Sequence, residues 1–127
     1  MQVFYCDDDV DDVQLFRRII KKIDASIVCK TASNGSEALE MLAAQDVRPD
    51  AIFVDLHMPK LDGLECVIAI RRDKFLKKIP LIVLSNAIER KHIEQFNKLG
   101  VYYFLSKCVA EAELQSALKA ILFCLPG

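Results

Sequence analysis

The stretch Pro49-Asp50-Ala51-Ile52-Phe53-Val54-Asp55, continuing Leu56-His57-Met58-Pro59-Lys60-Leu61-Asp62-Gly63, decides the fold. Ala51–Val54 is a short apolar run with no polar alternate. Such a run suits a strand covered on both faces, as in parallel sheets flanked by helices. Pro49 leads into it and Asp55 ends it. A loop with Pro59 and Gly63 turns the chain, and Leu64, Val67 and Ile68 then mark a helix.

The same unit recurs on both sides. Upstream, Val3–Cys6 reads as a strand that stops at Asp7-Asp8-Asp9. Val10, Val13, Phe16, Ile20 and Ile23 follow at helical spacing, with Arg17, Arg18, Lys21 and Lys22 between them. Ile27–Cys29 reads as the second strand. Asn34 and Glu37 have N-cap spacing for a helix carrying Ala38, Leu39, Leu42 and Ala43. Downstream, Pro80 opens Leu81–Leu84, which ends at Ser85. A helix is predicted over about 88–99, with Gly100 as its stop. Val101–Leu105 reads as the fifth strand, Lys107 follows it, and the last helix aligns Leu114, Ala117, Leu118, Ile121 and Leu125. Five alternating strand–helix units predict a doubly wound parallel sheet with helices on both faces.

The 127 residues, 53% hydrophobic and 28% charged, suit one globular domain over 1–127 and exclude overall disorder. A net charge of −1 gives no general attraction to nucleic acid or anionic membrane. The N-terminus has no signal-peptide pattern, and no apolar run is long enough to span a bilayer. The five cysteines are odd in number and lack C-x-x-C spacing, so a reducing cytoplasm is the expected compartment.

In open parallel sheets the site lies beyond the carboxyl ends of the strands. Here those ends carry Asp7, Asp8 and Asp9, then Asp55, Ser85 and Lys107. Each has a plain reading: helix caps, an ordinary loop carboxylate, a serine, a solvated lysine. Together they match one chemistry. Converging carboxylates repel unless a hard dication neutralises them, and Mg2+ accepts such oxygen ligands. A hydroxyl and an ammonium suit phosphoryl oxygens, and a carboxylate can be the nucleophile that forms an acyl phosphate.

At this point the chain resembles the receiver domain of two-component response regulators, especially stand-alone chemotaxis-type regulators. The carriers are Val3–Asp9, the D-x-x-M-P-x-x-D-G element of Asp55–Gly63, Leu81–Ser85 and Gly100–Lys107. The resemblance implies a flavodoxin-like sheet of order 2-1-3-4-5 with five helices. It implies that Asp55 takes a phosphoryl group from a histidine kinase or histidine phosphotransfer protein. It makes Asp8 and Asp55 direct Mg2+ ligands, with Asp7 acting largely through water and the His57 backbone carbonyl completing the set. Ser85 becomes the switch hydroxyl, Lys107 the phosphoryl partner and Phe104 the switch aromatic. The signal would leave through the surface of the fourth helix, fifth strand and fifth helix, toward a protein target or a phosphorylation-linked homodimer. Such a domain assists its own phosphorylation and hydrolysis and turns over no separate substrate.

Three positions depart from that pattern. Cys108 stands where proline usually follows the lysine, so the Lys107–Cys108 bond is expected to be trans. Asn86 follows the switch hydroxyl where a small residue is common. His57 lies two residues after Asp55 and could reach the attacking water, although a solvent-facing loop histidine is the plainer reading. Two other functions compete. One is a phosphatase of the haloacid dehalogenase type with Asp7 as nucleophile, opposed by the lack of an acidic pair after Lys107. The other is a receiver-like binding module that no longer takes phosphate.

Overall fold

The computed structural model describes residues 1–44, 48–56, 63–86 and 90–125. The elements run β1 (Gln2–Cys6), α1 (Val10–Ile23), β2 (Val28–Ala32), α2 (Gly35–Ala43), β3 (Ala51–Asp55) and α3 (Gly63–Arg72). After a 3-10 turn at Leu76–Lys78 come β4 (Leu81–Ser85), α4 (Arg90–Lys98), β5 (Tyr103–Ser106) and α5 (Glu111–Phe123). The sheet is parallel throughout, with order β2-β1-β3-β4-β5. The strand order reverses between β1 and β3, which puts the carboxyl ends of these neighbours at the topological switch point.

Strand side chains alternate between two cores. Val3, Tyr5, Ala51, Phe53, Ile82, Leu84 and Leu105 pack against α1 and α5. Phe4, Cys6, Ile52, Val54 and Val83 pack against α2, α3 and α4. β1, β3 and β4 are buried almost throughout, which is why they read as continuous apolar runs.

The edge strands differ from their sequence reading, each for its own physical reason. β2 extends through Lys30 and Thr31 to Ala32 because it pairs with all of β1, Gln2↔Val28 to Cys6↔Ala32. It alternates exposed and covered positions, so its polar half carries no apolar signal. β5 begins at Tyr103, not Val101. The Val101 N–H instead closes the end of α4 on the Phe96 carbonyl (3.1 Å), and the Tyr102 N–H starts the ladder on Leu81 (2.8 Å).

Local signals explain the helix ends. Asp9 caps α1, accepting from the N–H groups of Asp11 (2.9 Å) and Asp12 (3.2 Å). Asp11 and Asp12 in the first turn and Lys21 and Lys22 in the last complement the helix dipole. Asn34 caps α2 through the Glu37 N–H (2.9 Å), while the Glu37 carboxylate takes the Ser33 hydroxyl (2.7 Å). Gly100 has φ +74° after α4, a conformation that favours glycine. Gly63 is required by space: a Cβ there would lie 2.5 Å from the backbone oxygens of both Asp55 and Leu56. α3 therefore starts directly against the end of β3.

Candidate functional site

Asp7 and Asp55 follow β1 and end β3, neighbouring strands whose last pair is Cys6↔Val54. Asp7 continues the alternation of Val3 and Tyr5, Asp55 that of Ala51 and Phe53, and Lys107 that of Leu105. The three side chains therefore meet on the α1/α5 side of the sheet edge. The Lys107 ammonium contacts Asp7 Oδ2 (2.6 Å), Asp12 Oδ2 (3.0 Å) and Asp55 Oδ1 (3.1 Å). Its side chain is only 9% exposed, unlike the solvated lysine of the plain reading.

One carboxylate oxygen from each of Asp7, Asp8 and Asp55 lies within 4.8 Å of the others. Asp7 and Asp55 are buried and Asp8 is exposed. This hard oxygen set, open to solvent on one side, fits a divalent cation of the Mg2+ type. A cavity of about 400 Å3 adjoins it, lined by Asp7, Asp8, Asp9, Asp12, Asp55, Asn86 and Lys107. Five carboxylates face one ammonium there.

That imbalance shapes the titration of the site. Burial pushes the Asp55 carboxyl up to about 6, the Asp7 charge adds to the rise, and Lys107 pulls the other way. Burial alone would lower the Lys107 ammonium, but hydrogen bonds to Asp7 and Asp12 and the Asp55 charge hold it well above its ordinary value. Burial and then the Asp7 charge raise the Tyr5 phenol, which stays protonated as a donor.

Ser85 and Phe104 fall in the other strand phase, with Val83 and the α2/α3/α4 core. Ser85 is fully buried at the end of β4, and its carbonyl accepts the Lys107 N–H (2.9 Å). The Phe104 ring lies 6.0 Å from that of Phe96 on α4. The acidic cluster and Lys107 thus occupy one face, and the two expected switch residues the other. His57 lies outside the described residues. No cis peptide occurs among the described residues, so Lys107–Cys108 is trans as expected. The two unusual neighbours also meet: Cys108 Sγ lies 3.2 Å from the Asn86 carbonyl oxygen.

Two site residues were not evident from sequence. Asp12, in the first turn of α1, falls about one turn after Asp8 and so returns to the same edge. Tyr5 looked like strand filling, yet its hydroxyl donates to Asp7 Oδ2. Period-two alternation places residues 5 and 7 on one face and could have flagged the pair.

Fold and site define an open α/β protein with an acidic cluster at the carboxyl edge of its sheet. The family model for the response regulator receiver domain matches residues 3–119, and the chain belongs to that family, the receiver domains of two-component signal transduction. It is 32% identical to Protein PilG of Pseudomonas aeruginosa over 87% of this chain and 82% of that protein. It is 30% identical to the sensor histidine kinase CheAY of Helicobacter pylori, covering 92% of this chain but only 14% of the kinase. Among solved structures it resembles the phosphorylated cyanobacterial phytochrome response regulator RcpA (TM-score 0.88, 29% identity, 98% of this chain and 92% of that chain). It also resembles the chemotaxis response regulator CheY4 of Vibrio cholerae (TM-score 0.80, 28% identity, 94% and 97%). The family match over residues 3–119 displaces the dehalogenase-type reading. No helix of the described residues is long and apolar enough to cross a membrane.

Proposed function

We propose that Asp55 is the phosphoacceptor of a single receiver domain spanning 1–127, and that a histidine kinase or histidine phosphotransfer protein supplies the phosphoryl group. The observation that carries this is the placement of Asp55 beside both the Lys107 ammonium (3.1 Å) and the other two carboxylates of the cation set. An Asp55 carboxylate oxygen attacks phosphorus. The phosphorus–nitrogen bond of the donor phosphohistidine breaks, and the nitrogen keeps the electron pair. The product is an acyl phosphate, and attack of water on phosphorus later returns the carboxylate and inorganic phosphate.

Asp8 and Asp55 would hold Mg2+ directly and Asp7 through water, with the His57 carbonyl in the role that the resemblance gives it. Mg2+, when bound, neutralises charge on the carboxylates and on the phosphoryl oxygens. Lys107 pairs with one phosphoryl oxygen and the Ser85 hydroxyl donates to another. Drawing Ser85 toward the site vacates space on the α4 side, and Phe104 packs inward. The α4/β5/α5 face, where Ile93, Tyr103 and Val109 are exposed, is the surface read by a target or a second copy. The cytoplasm is the compartment that fits the five cysteines, none of which is in a disulfide.

The test is intact mass after incubation with Mg2+ and acetyl phosphate, for wild type, Asp55→Asn and Asp7→Asn. Gain of one phosphoryl group by wild type, retained in part by Asp7→Asn and lost in Asp55→Asn, is expected. A gain that survives Asp55→Asn overturns the assignment. No gain in wild type with either this donor or a phosphorylated phosphotransfer domain favours the phosphate-independent module.

A further inference from the structure

Asp7 is the most enclosed acid of the site, with a side chain that is 0% exposed. Its Oδ1 accepts the Asp9 N–H at 3.0 Å. Its Oδ2 accepts two donors, the Lys107 ammonium at 2.6 Å and the Tyr5 hydroxyl. The two donors differ in freedom. Lys107 shares its three protons among Asp7, Asp12 and Asp55 and carries them on a four-carbon stem with many rotatable bonds. Tyr5 is 1% exposed, and its ring stacks on Phe16 with centroids 4.3 Å apart. A phenol at a fully covered strand position must find an acceptor or lose the hydration of its hydroxyl. The acceptor here is two residues along on the same strand face.

We propose that Tyr5 is a positioning residue of the cation site: its hydroxyl holds the buried Asp7 carboxylate in place for the metal, so that the Lys107 ammonium can leave Asp7 without freeing it. This rests on the reading that Asp7, Asp8 and Asp55 hold Mg2+. When Lys107 turns to a phosphoryl oxygen, Asp7 Oδ2 loses a charged donor. A buried carboxylate left short of donors is costly, and it would rotate or hold the lysine back. The Tyr5 hydroxyl is indifferent to phosphorylation because its ring is clamped in the core.

Tyr5→Phe removes one oxygen and leaves the stack on Phe16. Asp7 Oδ2 then depends on Lys107 alone. Mg2+ must compete with a more firmly held ammonium, for a carboxylate less firmly oriented, and both effects weaken binding. Partners that orient metal ligands typically carry about a 10–100-fold effect on affinity. The measurement is calorimetric titration of the metal-free protein with Mg2+, for wild type, Tyr5→Phe and Phe16→Leu. Phe16→Leu loosens the ring packing but keeps the hydroxyl.

The expected result is a Kd raised about tenfold in Tyr5→Phe and raised by clearly less in Phe16→Leu, which loosens the clamp but keeps the donor. Equal affinity for wild type and Tyr5→Phe overturns the proposal while leaving the cation site standing. Equal weakening in both variants also overturns it, since packing alone then accounts for the loss. Failure of wild type to bind Mg2+ overturns both the cation-site reading and this one. A second measurement needs no variant. In wild type, the proton NMR signal of the Tyr5 hydroxyl, shielded from exchange, should shift on Mg2+ addition; a signal insensitive to Mg2+ counts against the proposal.

Discussion

The Lys107 ammonium lies closer to Asp7 Oδ2 (2.6 Å) than to the proposed acceptor, Asp55 Oδ1 (3.1 Å). The lysine is therefore anchored on a carboxylate other than the proposed acceptor, with Asp12 as a third contact (3.0 Å). Its removal leaves buried carboxylates with no cation. Lys107→Ala should destabilise the metal-free protein by about 3 kcal/mol, the cost typical of stripping one partner from a buried ion pair. Mg2+ should bind the variant more tightly than wild type, because the competing ammonium is gone, and should recover part of the stability. Urea denaturation with chelator and then with Mg2+ checks both signs. Stability unchanged in chelator would show that the lysine is not the counter-ion of this cluster.

Asp55 predicts a pH dependence of opposite sign to that of an ordinary salt-bridged acid. Burial and Asp7 raise its carboxyl from 3.8 to about 6 in the folded protein. Below the unfolded value both states hold the proton and the group is neutral in its effect. As pH rises from about 4 through 6, the unfolded chain releases the proton first, and the folded state loses stability. At pH 7.5 without metal, Asp55→Asn should therefore be more stable than wild type by about 1–3 kcal/mol. The gap should close as pH falls to 4. Thermal unfolding of both proteins across that range is the measurement, and a gap that widens toward low pH would reverse the assignment of the strain.

Gly63 is the sterically closed point of the site. A Cβ would meet the Asp55 and Leu56 backbone oxygens at 2.5 Å and the Leu56 Cα at 2.7 Å, and backbone cannot yield as a flexible side chain can. The Gly63 N–H also bonds the Leu56 carbonyl (3.1 Å), so the α3 start and the end of β3 are tied. Gly63→Ala should cost about 1–3 kcal/mol, as overpacking does. It should also slow the proposed phosphorylation of Asp55, because the clash falls on that residue's own backbone. Denaturation and the acetyl phosphate reaction should move together; full stability in the alanine variant would show that this approach is looser than it stands here.

The buried strands were legible because both of their faces are covered: Ala51–Val54 and Leu81–Leu84 carry no residue that could face water. The site was legible where a residue type is improbable for its place, as with Asp55 ending an apolar run. What escaped had a respectable local role already. Asp12 completes the first turn of α1, and only the three-dimensional return of α1 over the sheet edge puts it on Lys107. Tyr5 suits a β-strand by propensity, and only its period-two relation to Asp7 marks it as a tyrosine whose hydroxyl is used. Lys30 and Thr31 hid the end of β2 because an edge strand carries polar residues on its open side.

Asn86 and Cys108, the two departures beside Ser85 and Lys107, supply the last prediction. The Cys108 thiol donates to the Asn86 carbonyl (3.2 Å), and the Cys108 N–H donates to Ser106 Oγ (3.1 Å). With the Lys107 N–H on the Ser85 carbonyl (2.9 Å), the segment after β5 is held to Ser85, the last residue of β4, and to Asn86 just beyond it. Proline at 108 would lack both the thiol and the N–H, so here side-chain and backbone donors hold the loop without it. On the proposed role of Ser85, its movement toward a phosphoryl group would carry Asn86 with it and strain the thiol contact. Cys108→Ala should thus lower stability by about 0.5–1 kcal/mol, the net worth of one such hydrogen bond. It should speed hydrogen exchange at the Asn86 amide and shift the unphosphorylated protein toward the active arrangement. Cys108→Ser, which keeps a donor, should behave like wild type in exchange. If alanine and serine loosen Asn86 equally, the sulfur acts through its size and the hydrogen bond has no part in restraining the switch.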